Sequence, residues 1–215
     1  MKKLSTLTTN LSLIKPAIGD EIHQTIVDLS LNFQKIDDVS ELYSTAMPTS
    51  GDWVAPKRVW RLVPVAGGQM GWVVIRSGKA APAWITLTSY ALDDLVLPTV
   101  NNGHYYKCVQ AGKSGVVQPT FPVSSGAIID DTQGATFWQA TTSYGLNTVV
   151  KPNVSNDRFY VCTTAGTSGS TEPTWLTTEG STTSDNGTIW TCHVITKWQE
   201  FGVSVLFKDF GLISS

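Results

Sequence analysis

The sequence carries little charge, and the charge that it has is nearly balanced. Only 15% of its 215 residues are charged, against about 25% in an average globular protein. The formal net charge of −2 leaves no basic excess that could neutralise phosphates, which argues against nucleic-acid binding. Apolar runs are only a few residues long, and polar residues interrupt the stretch after Lys2 and Lys3. The sequence therefore predicts no signal peptide, no transmembrane segment and no membrane insertion.

Cysteine and histidine are scarce as well. The three cysteines are Cys108, Cys162 and Cys192, and the three histidines are scattered along the chain. An odd number of cysteines gives no complete disulfide framework, and without a C-x-x-C pair a zinc site lacks ligands at a useful spacing. We expect buried free thiols, with a Cys162–Cys192 bridge as the alternative because both lie in strand-like runs of one unit. We predict neither a metal nor a cofactor.

Catalytic motifs are missing too. The sequence contains no G-x-S-x-G, no H-E-x-x-H and no phosphate loop. Acidic doublets occur at residues 37–38, 93–94 and 130–131. Adjacent residues of a strand point to opposite faces, so a doublet in a strand does not form a converging acid and base pair. We predict that the protein is not an enzyme and has no catalytic residues.

The composition changes near residues 47–51. Residues 1–48 hold none of the eight Trp and one of the eighteen Gly. The segment from Met47 to Gly51 contains Pro, Ser and Gly, which are typical of a linker. Residues 1–48 are therefore predicted to form a region of their own, and the aromatic residues after them supply the core of the remainder.

The first region is predicted to be an extended leader followed by one helix. Asp20 is a plausible N-cap, and Pro16 disfavours helix at Lys15. Apolar residues then recur at spacings of 4, 3, 4 and 3, which is a heptad seam, and they are Ile22, Ile26, Leu29, Phe33 and Ile36. About 24 residues would give roughly 36 Å of helix. The seam either packs on the β region of the same chain or joins copies into a short parallel bundle. We favour a trimer.

An internal repeat of 54 residues dominates the second region. The stretch that begins YALDDLVLPTV at Tyr90 is followed by YGLNTVVKPNV at Tyr144, and Cys108 matches Cys162 at the same offset. Gly112, Ser114 and Gly115 likewise match Gly166, Ser168 and Gly169. After a slip of two residues, Trp138 aligns with Trp190, which places Ala140 opposite Cys192.

Each repeat is predicted to be a small β module. HYYKCVQA and RFYVCTTA alternate as half-buried strands do, and Asn186-Gly187 is a strong hairpin signal. A degenerate copy with a similar order of Trp, Pro and Gly precedes the two full ones. The expected fold is mainly β, with an N-terminal leader and one helix followed by two to three tandem small β modules. The predicted boundaries are 1–48, 49–88, 89–142, 143–196 and a C-terminal strand or tail at 197–215.

Three stretches resemble bacteriophage proteins. The pattern Y-x-L-x-x-x-V-x-P, then Y-x-C-x-x-A-G-x-S-G, then G-x-x-W, resembles a β module of phage tail and appendage proteins that is distantly similar to chitinase carbohydrate-binding modules. The segment GDWVAPKRVW with GGQMGWVV resembles phage tail-fibre and neck-appendage proteins. The leader NLSLIKPAIGDEIHQTIVDLSLNFQKIDD resembles the start of many phage fibre proteins, where such leaders attach to the virion or begin a trimeric stalk.

The resemblance implies a virion structural protein that is assembled in the host cytoplasm. A short trimeric tail fibre, appendage or adaptor fits best, docked on other virion proteins through residues 1–48. A head-mounted fibre and a carbohydrate-binding adhesin for the host surface are the alternatives. The adhesin would bind a glycan through flat aromatic rings and nearby polar groups, for which the candidates are Trp175, Glu172, Thr174, Tyr144 and Tyr160. The alternative, which we favour for Trp175, is that its ring is the plug of a small core.

Overall fold

The computed structural model describes residues 6–9, 11–17 and 20–215. It is mainly β, with 41% of residues in strands and 8% in one helix, which confirms the predicted fold class. The chain divides into two compact units. Unit 1 comprises Met1–Ala46, Arg58–Trp72 and Asp209–Ser215, and unit 2 comprises Met47–Lys57 and Val73–Lys208. Within the described residues, no helix is both long and apolar enough to cross a membrane.

The leader of unit 1 is a small antiparallel hairpin followed by a helix. Its elements are β1 (Thr6–Leu7), β2 (Ile14–Lys15), α1 (Ile22–Val39) and β3 (Leu42–Ser44). The N-cap of α1 is Glu21, not the predicted Asp20, whose carboxylate instead accepts a hydrogen bond from the Ala17 amide at 2.6 Å. The 18 residues of α1 span about 27 Å. The helix is shorter than predicted because Leu42–Ser44 pairs in parallel with a later strand instead of continuing it.

The next segment contains the predicted degenerate module. Its strands are β4 (Asp52–Trp53), β5 (Arg58–Arg61), β6 (Gln69–Arg76) and β7 (Gly78–Lys79). β4 pairs with β7, and Trp53 lies opposite Gly78 in that pair.

The two full copies have the same strands in the same order. The first contributes β8 (Ser89–Tyr90), β9 (Leu95–Val96), β10 (His104–Gln110), β11 (Gly112–Lys113) and β12 (Ile128–Asp130). After β13 (Thr136–Phe137), the second contributes β14 (Ser143–Tyr144), β15 (Val149–Lys151), β16 (Arg158–Thr164), β17 (Gly166–Thr167), β18 (Thr182–Asp185) and β19 (Thr188–Val194). The chain then adds β20 (Lys197–Val203) and β21 (Leu206–Leu212).

The two copies are nested rather than sequential. The sheet orders are β12-β20-β10-β9 for the first copy and β13-β15-β16-β19-β18 for the second. A third sheet, with the order β21-β6-β5-β3, combines strands that precede the two copies with the last strand of the chain. The first copy is therefore completed by β20, after the whole second copy has been inserted between β12 and β20. Residues 197–203 form a strand, as one of the two predicted alternatives had it, but this strand belongs to the first copy. The predicted boundaries at 142 and 196 therefore do not coincide with the modules.

The hydrogen bonds of four tryptophans, two in each copy, identify the true equivalents. Trp84 and Trp198 donate from Nε1 to Asp131 at 2.7 and 2.8 Å. Trp138 and Trp190 donate to Asp185 at 2.8 and 3.1 Å. Trp138 thus corresponds to Trp84, 54 residues earlier, and Trp190 corresponds to Trp198. The predicted alignment of Trp138 with Trp190 is wrong, because Trp138 opens the second copy instead of closing the first. Glu200, not Ala140, is the counterpart of Cys192.

A shorter repeat of eight residues links the three closing strands. Thr188 begins β19, Thr196 immediately precedes β20, and Ser204 lies two residues before β21. All three side chains are fully buried. Each lies beside a glycine of its own module, and these glycines are Gly166, Gly112 and Gly78 in that order. A Cβ atom added to any of these glycines would come within 2.4–2.5 Å of the backbone next to the buried hydroxyl residue. Only glycine permits so close an approach. The degenerate module is consequently closed by the residues just before β21, where the Val205 amide donates to the Lys79 carbonyl at 2.9 Å.

Each full copy has its own aromatic core. The first core consists of Trp84, Val96, Tyr106, Cys108, Phe121 and Trp198. The second consists of Trp138, Tyr144, Val150, Tyr160, Cys162, Trp190 and Cys192. All three cysteines are buried and free, as the sequence predicted, and the alternative Cys162–Cys192 bridge is not formed. The predicted hairpin at Asn186-Gly187 is present, and both residues have positive φ.

Replacing Asp131 should unfold the first copy more readily than replacing its neighbour. Asp131 is fully buried and also accepts a hydrogen bond from the Gly115 amide at 3.0 Å. Asp131→Ala leaves three buried donors without an acceptor, at about 1–3 kcal/mol each, so we expect a loss of at least about 3 kcal/mol in unfolding free energy. Asp130→Ala, at an exposed position, should stay within about 0.5 kcal/mol. Denaturant titration of both variants checks this, and equal losses would contradict it.

The same carboxyl group should make the stability of the first copy depend on pH. Burial raises the pKa of Asp131 above its ordinary value, although hydrogen bonds from Trp198, Trp84 and Gly115 oppose that effect. The folded state therefore binds the proton more tightly than the unfolded state does. The stability contributed by this group is complete below its unfolded pKa and is lost as the pH rises through its folded pKa.

Candidate functional site

The structure places the predicted sugar-binding residues in and around the core of the second copy. Trp175 is half-buried and packs on Tyr160 with ring centroids 4.2 Å apart. In the first copy Phe121 packs on Tyr106 in the same way, at 4.3 Å. Trp175 therefore occupies the position of a core side chain, which is the alternative that the sequence left open.

The polar partner of Trp175 serves the loop itself. Glu172 accepts hydrogen bonds from the Trp175 indole at 2.8 Å and from the backbone and side-chain nitrogens of Asn153 at 2.9 Å each. Partial burial acts to raise the pKa of Glu172, but these hydrogen bonds outweigh it and the pKa lies below its ordinary value. The carboxylate of Glu172 thus connects the loop that carries Trp175 to Asn153, just after β15.

The two tyrosines proposed as platforms face the interior. Tyr160 is fully buried and Tyr144 nearly so. The Tyr160 hydroxyl accepts a hydrogen bond from Asn156 at 2.8 Å and donates to the Leu176 carbonyl at 3.2 Å, and burial raises its pKa to about 12. A sugar cannot stack on a buried ring, so the assignment of Tyr144 and Tyr160 to a binding platform is corrected. Thr174 is exposed, but the set of five residues does not form one surface.

Substitution of Trp175 should report its structural role. Trp175→Phe reproduces the residue that the first copy uses and should cost about 1–2 kcal/mol of unfolding free energy. Trp175→Ala should cost about 3 kcal/mol, because it leaves a cavity above Tyr160. Thr174→Ala, the exposed neighbour, is the matched control and should change little. Thermal unfolding of the three variants checks the order, and a fully stable Trp175→Ala chain would show that the ring is not part of the core.

The acidic doublets of the β region also have structural partners. Asp93 pairs with Lys107 at 2.8 Å, and Asp94 accepts a hydrogen bond from the Ala91 amide at 2.7 Å. Asp130 lies 3.4 Å from Lys197. In the part of the chain that the structure describes, no group of three or more His, Cys, Asp or Glu side chains could hold a metal ion.

The predicted oligomerisation residues form one exposed stripe along α1. Their exposed fractions range from 42% at Leu29 to 81% at Ile22, and the stripe consists of Ile22, Ile26, Leu29, Phe33 and Ile36. At 100° per residue, all five lie within about 40° of a common line along the helix. The structure therefore brings these five predicted residues together on one surface.

A different face of α1 holds the leader hairpin. The Asn32 side chain accepts a hydrogen bond from the Ile14 amide and donates to the Ile14 carbonyl, both at 2.8 Å. Lys35 Nζ donates to the Ser12 carbonyl at 2.6 Å, and Asp28, one turn before Asn32, is buried. The polar row fixes the hairpin to the helix, so the apolar stripe is left to solvent within unit 1.

Comparisons with known proteins identify no family for the chain. No protein-family model matches it, and neither the curated proteins nor the solved structures contain a match.

Proposed function

We propose that the protein is a non-enzymatic structural protein of a phage virion, a short trimeric fibre, appendage or adaptor that assembles through α1. The observation that carries the proposal is the exposed heptad stripe of α1. Full burial of each such side chain is worth about 1.5–3 kcal/mol. A helix of this length is marginal in water without packing partners. The stripe therefore needs a partner surface that covers it.

A parallel copy of the same helix is the partner that matches the stripe best. The spacing of 4, 3, 4 and 3 has the 3.5-residue period of a coiled coil, so an identical helix keeps the contact in register along its whole length. A flat sheet surface has no such period. The leader hairpin lies on another face of α1, through Asn32 and Lys35, and leaves the stripe accessible to neighbouring copies.

Three copies fit the seam better than two. The spacing assigns Ile22, Leu29 and Ile36 to d positions and Ile26 and Phe33 to a positions. Isoleucine at d disfavours parallel dimers, and isoleucine at both a and d positions is typical of trimers and tetramers. Stacking of Phe33 from each copy at the axis also needs a wider core than a dimer offers.

The virion location is supported by the order of the sequence features. A leader that resembles the start of phage fibre proteins contains the helix, and β modules that resemble those of phage appendages follow it. Tail and head positions are equally compatible with this order. Detection of the protein in purified phage particles by mass spectrometry tests the location, and its absence from them would contradict it.

The mass of the chain in solution tests the assembly. Light scattering should give about three times the 23.3 kDa of one chain, and a chain that begins at Gly51 should be monomeric. A full-length monomer over the micromolar range would contradict the proposal. A trimer that survives the truncation would move the assembly interface from α1 to the β modules.

A further inference from the structure

Unit 1 contains a cleft that the assembly through α1 does not use. Its volume is about 330 Å³, and the residues that line it include Glu41, Tyr43, Trp60, Arg61, Met70 and Ile213. This volume lies at the lower end of the range of about 300–1,000 Å³ that is usual for small-molecule sites. The cleft combines two aromatic rings with polar groups, as such sites commonly do.

The two aromatic residues project from the same face of the sheet. Tyr43 in β3 and Trp60 in β5 are direct partners in a parallel strand pair, and paired residues of neighbouring strands share a face. Tyr43 is 59% exposed, and Trp60 is half-buried. Trp60 is held edge-on against Phe210, with ring centroids 5.1 Å apart. The pair forms a fixed aromatic platform at the edge of the sheet.

Hydrogen bonding fixes the polar side of this platform. The Tyr43 hydroxyl donates to Glu41 Oε2 at 2.7 Å, and this bond together with the charge of Glu41 raises the pKa of Tyr43. The tyrosine therefore stays neutral, and the carboxylate beside it can accept hydrogen bonds from a ligand's hydroxyl groups. β3 is the edge strand of its sheet, and an edge strand directs some of its peptide groups outward.

The charges around the platform do not select a charged ligand. The guanidinium of Arg61 lies 4.6 Å from the centre of the Trp72 ring, and that of Arg58 lies 5.9 Å from the centre of the Phe210 ring. Each cation lies near an aromatic ring of the protein. Arg61 and Glu41 both line the cleft and have opposite charges, so the lining has no excess of either sign. A ligand rich in hydroxyl groups with flat C–H faces matches two rings and a hydrogen-bond acceptor better than an ionic ligand does.

We infer that this cleft binds a neutral oligosaccharide, with Tyr43 and Trp60 stacking on the sugar rings and Glu41 accepting hydrogen bonds from hydroxyl groups. A peptide that adds to the sheet is a weaker match, because β3 has only three residues to pair with. The inference is independent of the proposed assembly through α1. If the protein is trimeric, three identical sites would strengthen binding to a multivalent glycan surface.

Calorimetry and saturation-transfer NMR on the full chain test the inference. The probes are the hexaoses of cellulose, starch, mannan and chitin, followed by a printed array of neutral glycans. At least one neutral glycan should bind. Tyr43→Ala and Trp60→Ala should each weaken the binding at least tenfold, and Glu41→Gln should weaken it about threefold. Tyr43→Ala changes an exposed side chain of an edge strand, so its result stands even if Trp60→Ala fails to fold.

Phe201→Ala is the matched control. Phe201 is an exposed aromatic residue of unit 2, and its loss should leave binding unchanged. The inference is overturned if no neutral glycan binds at millimolar concentration, if Phe201→Ala weakens binding as much as Tyr43→Ala, or if charged glycans alone bind. A change in oligomeric mass on Tyr43→Ala, without any glycan binding, would instead make this surface an interface between chains. The mass of the unaltered protein tests the assembly separately.

Discussion

A chain carrying both Ile26→Asp and Phe33→Asp should have the mass of a monomer, 23.3 kDa, where the unaltered chain has about three times that mass. Both substitutions fall at a positions of the proposed seam. In a trimer each would bring three carboxylates together in one buried layer, and burying unpaired charges costs several kcal/mol per ion. Because the helix depends on its partners, its helical circular dichroism should fall together with the mass.

The same helix offers a matched control. Val27 and Leu31 are also exposed, and they lie on the side of α1 opposite the stripe. A chain with Val27→Asp and Leu31→Asp has the same added charge and loses at least as much intrinsic helix propensity. It should remain a trimer with a nearly unchanged thermal midpoint at equal protein concentration. If both double variants dissociate equally, the stripe is not the interface.

Replacing residues 132–195 with Asn-Gly should leave the first copy folded, although it removes the entire second copy. β12 and β20 are antiparallel partners, and the Asp131 amide donates to the Thr196 carbonyl at 2.9 Å. In the second copy, Asp185 and Thr188 occupy these positions and are joined by Asn186-Gly187. The replacement therefore joins two adjacent strands with the hairpin turn that the second copy already uses.

The opposite deletion should have the opposite effect. A chain that ends at Ile195 keeps the whole 54-residue repeat of both copies but loses β20 and with it Trp198. Because Trp198 is fully buried in the first core, we expect the first copy to unfold while the second stays ordered. Amide hydrogen exchange can follow β10 and β16 separately in both variants. Protection of β10 in the chain that ends at Ile195 would contradict the nested arrangement.

Much of the local structure could be predicted because it depends on neighbouring residues. Spacings of a few residues predict three features, namely the alternation in β10 and β16, the turn at Asn186-Gly187 and the stripe on α1. The burial of the three cysteines followed from their number and their apolar surroundings. The position of Trp175 in a core was foreseen only as an alternative, because an aromatic residue in a polar loop fits both a binding platform and a core.

The nesting of the modules could not be read from the 54-residue repeat. The offset of 54 residues links Trp84 with Trp138 and Asp131 with Asp185. After these aspartates, the two copies no longer match at that offset. The signal that continues is the eight-residue spacing of Thr188, Thr196 and Ser204, together with Trp190 and Trp198. It would have identified three equivalent closing strands, although a spacing alone does not say which sheet each strand joins.

Local side-chain patterns were enough to specify the elements of the chain, namely one amphipathic helix with a heptad stripe and many short strands with their turns. These depend on side-chain period and backbone preference, which act over a few residues. Long-range packing was needed to establish which strand completes which module, which face of α1 holds the leader, and that Tyr43 pairs with Trp60. Those pairings join residues far apart in the chain, and what selects them is the burial of Trp198 and the satisfaction of buried groups such as Asp131.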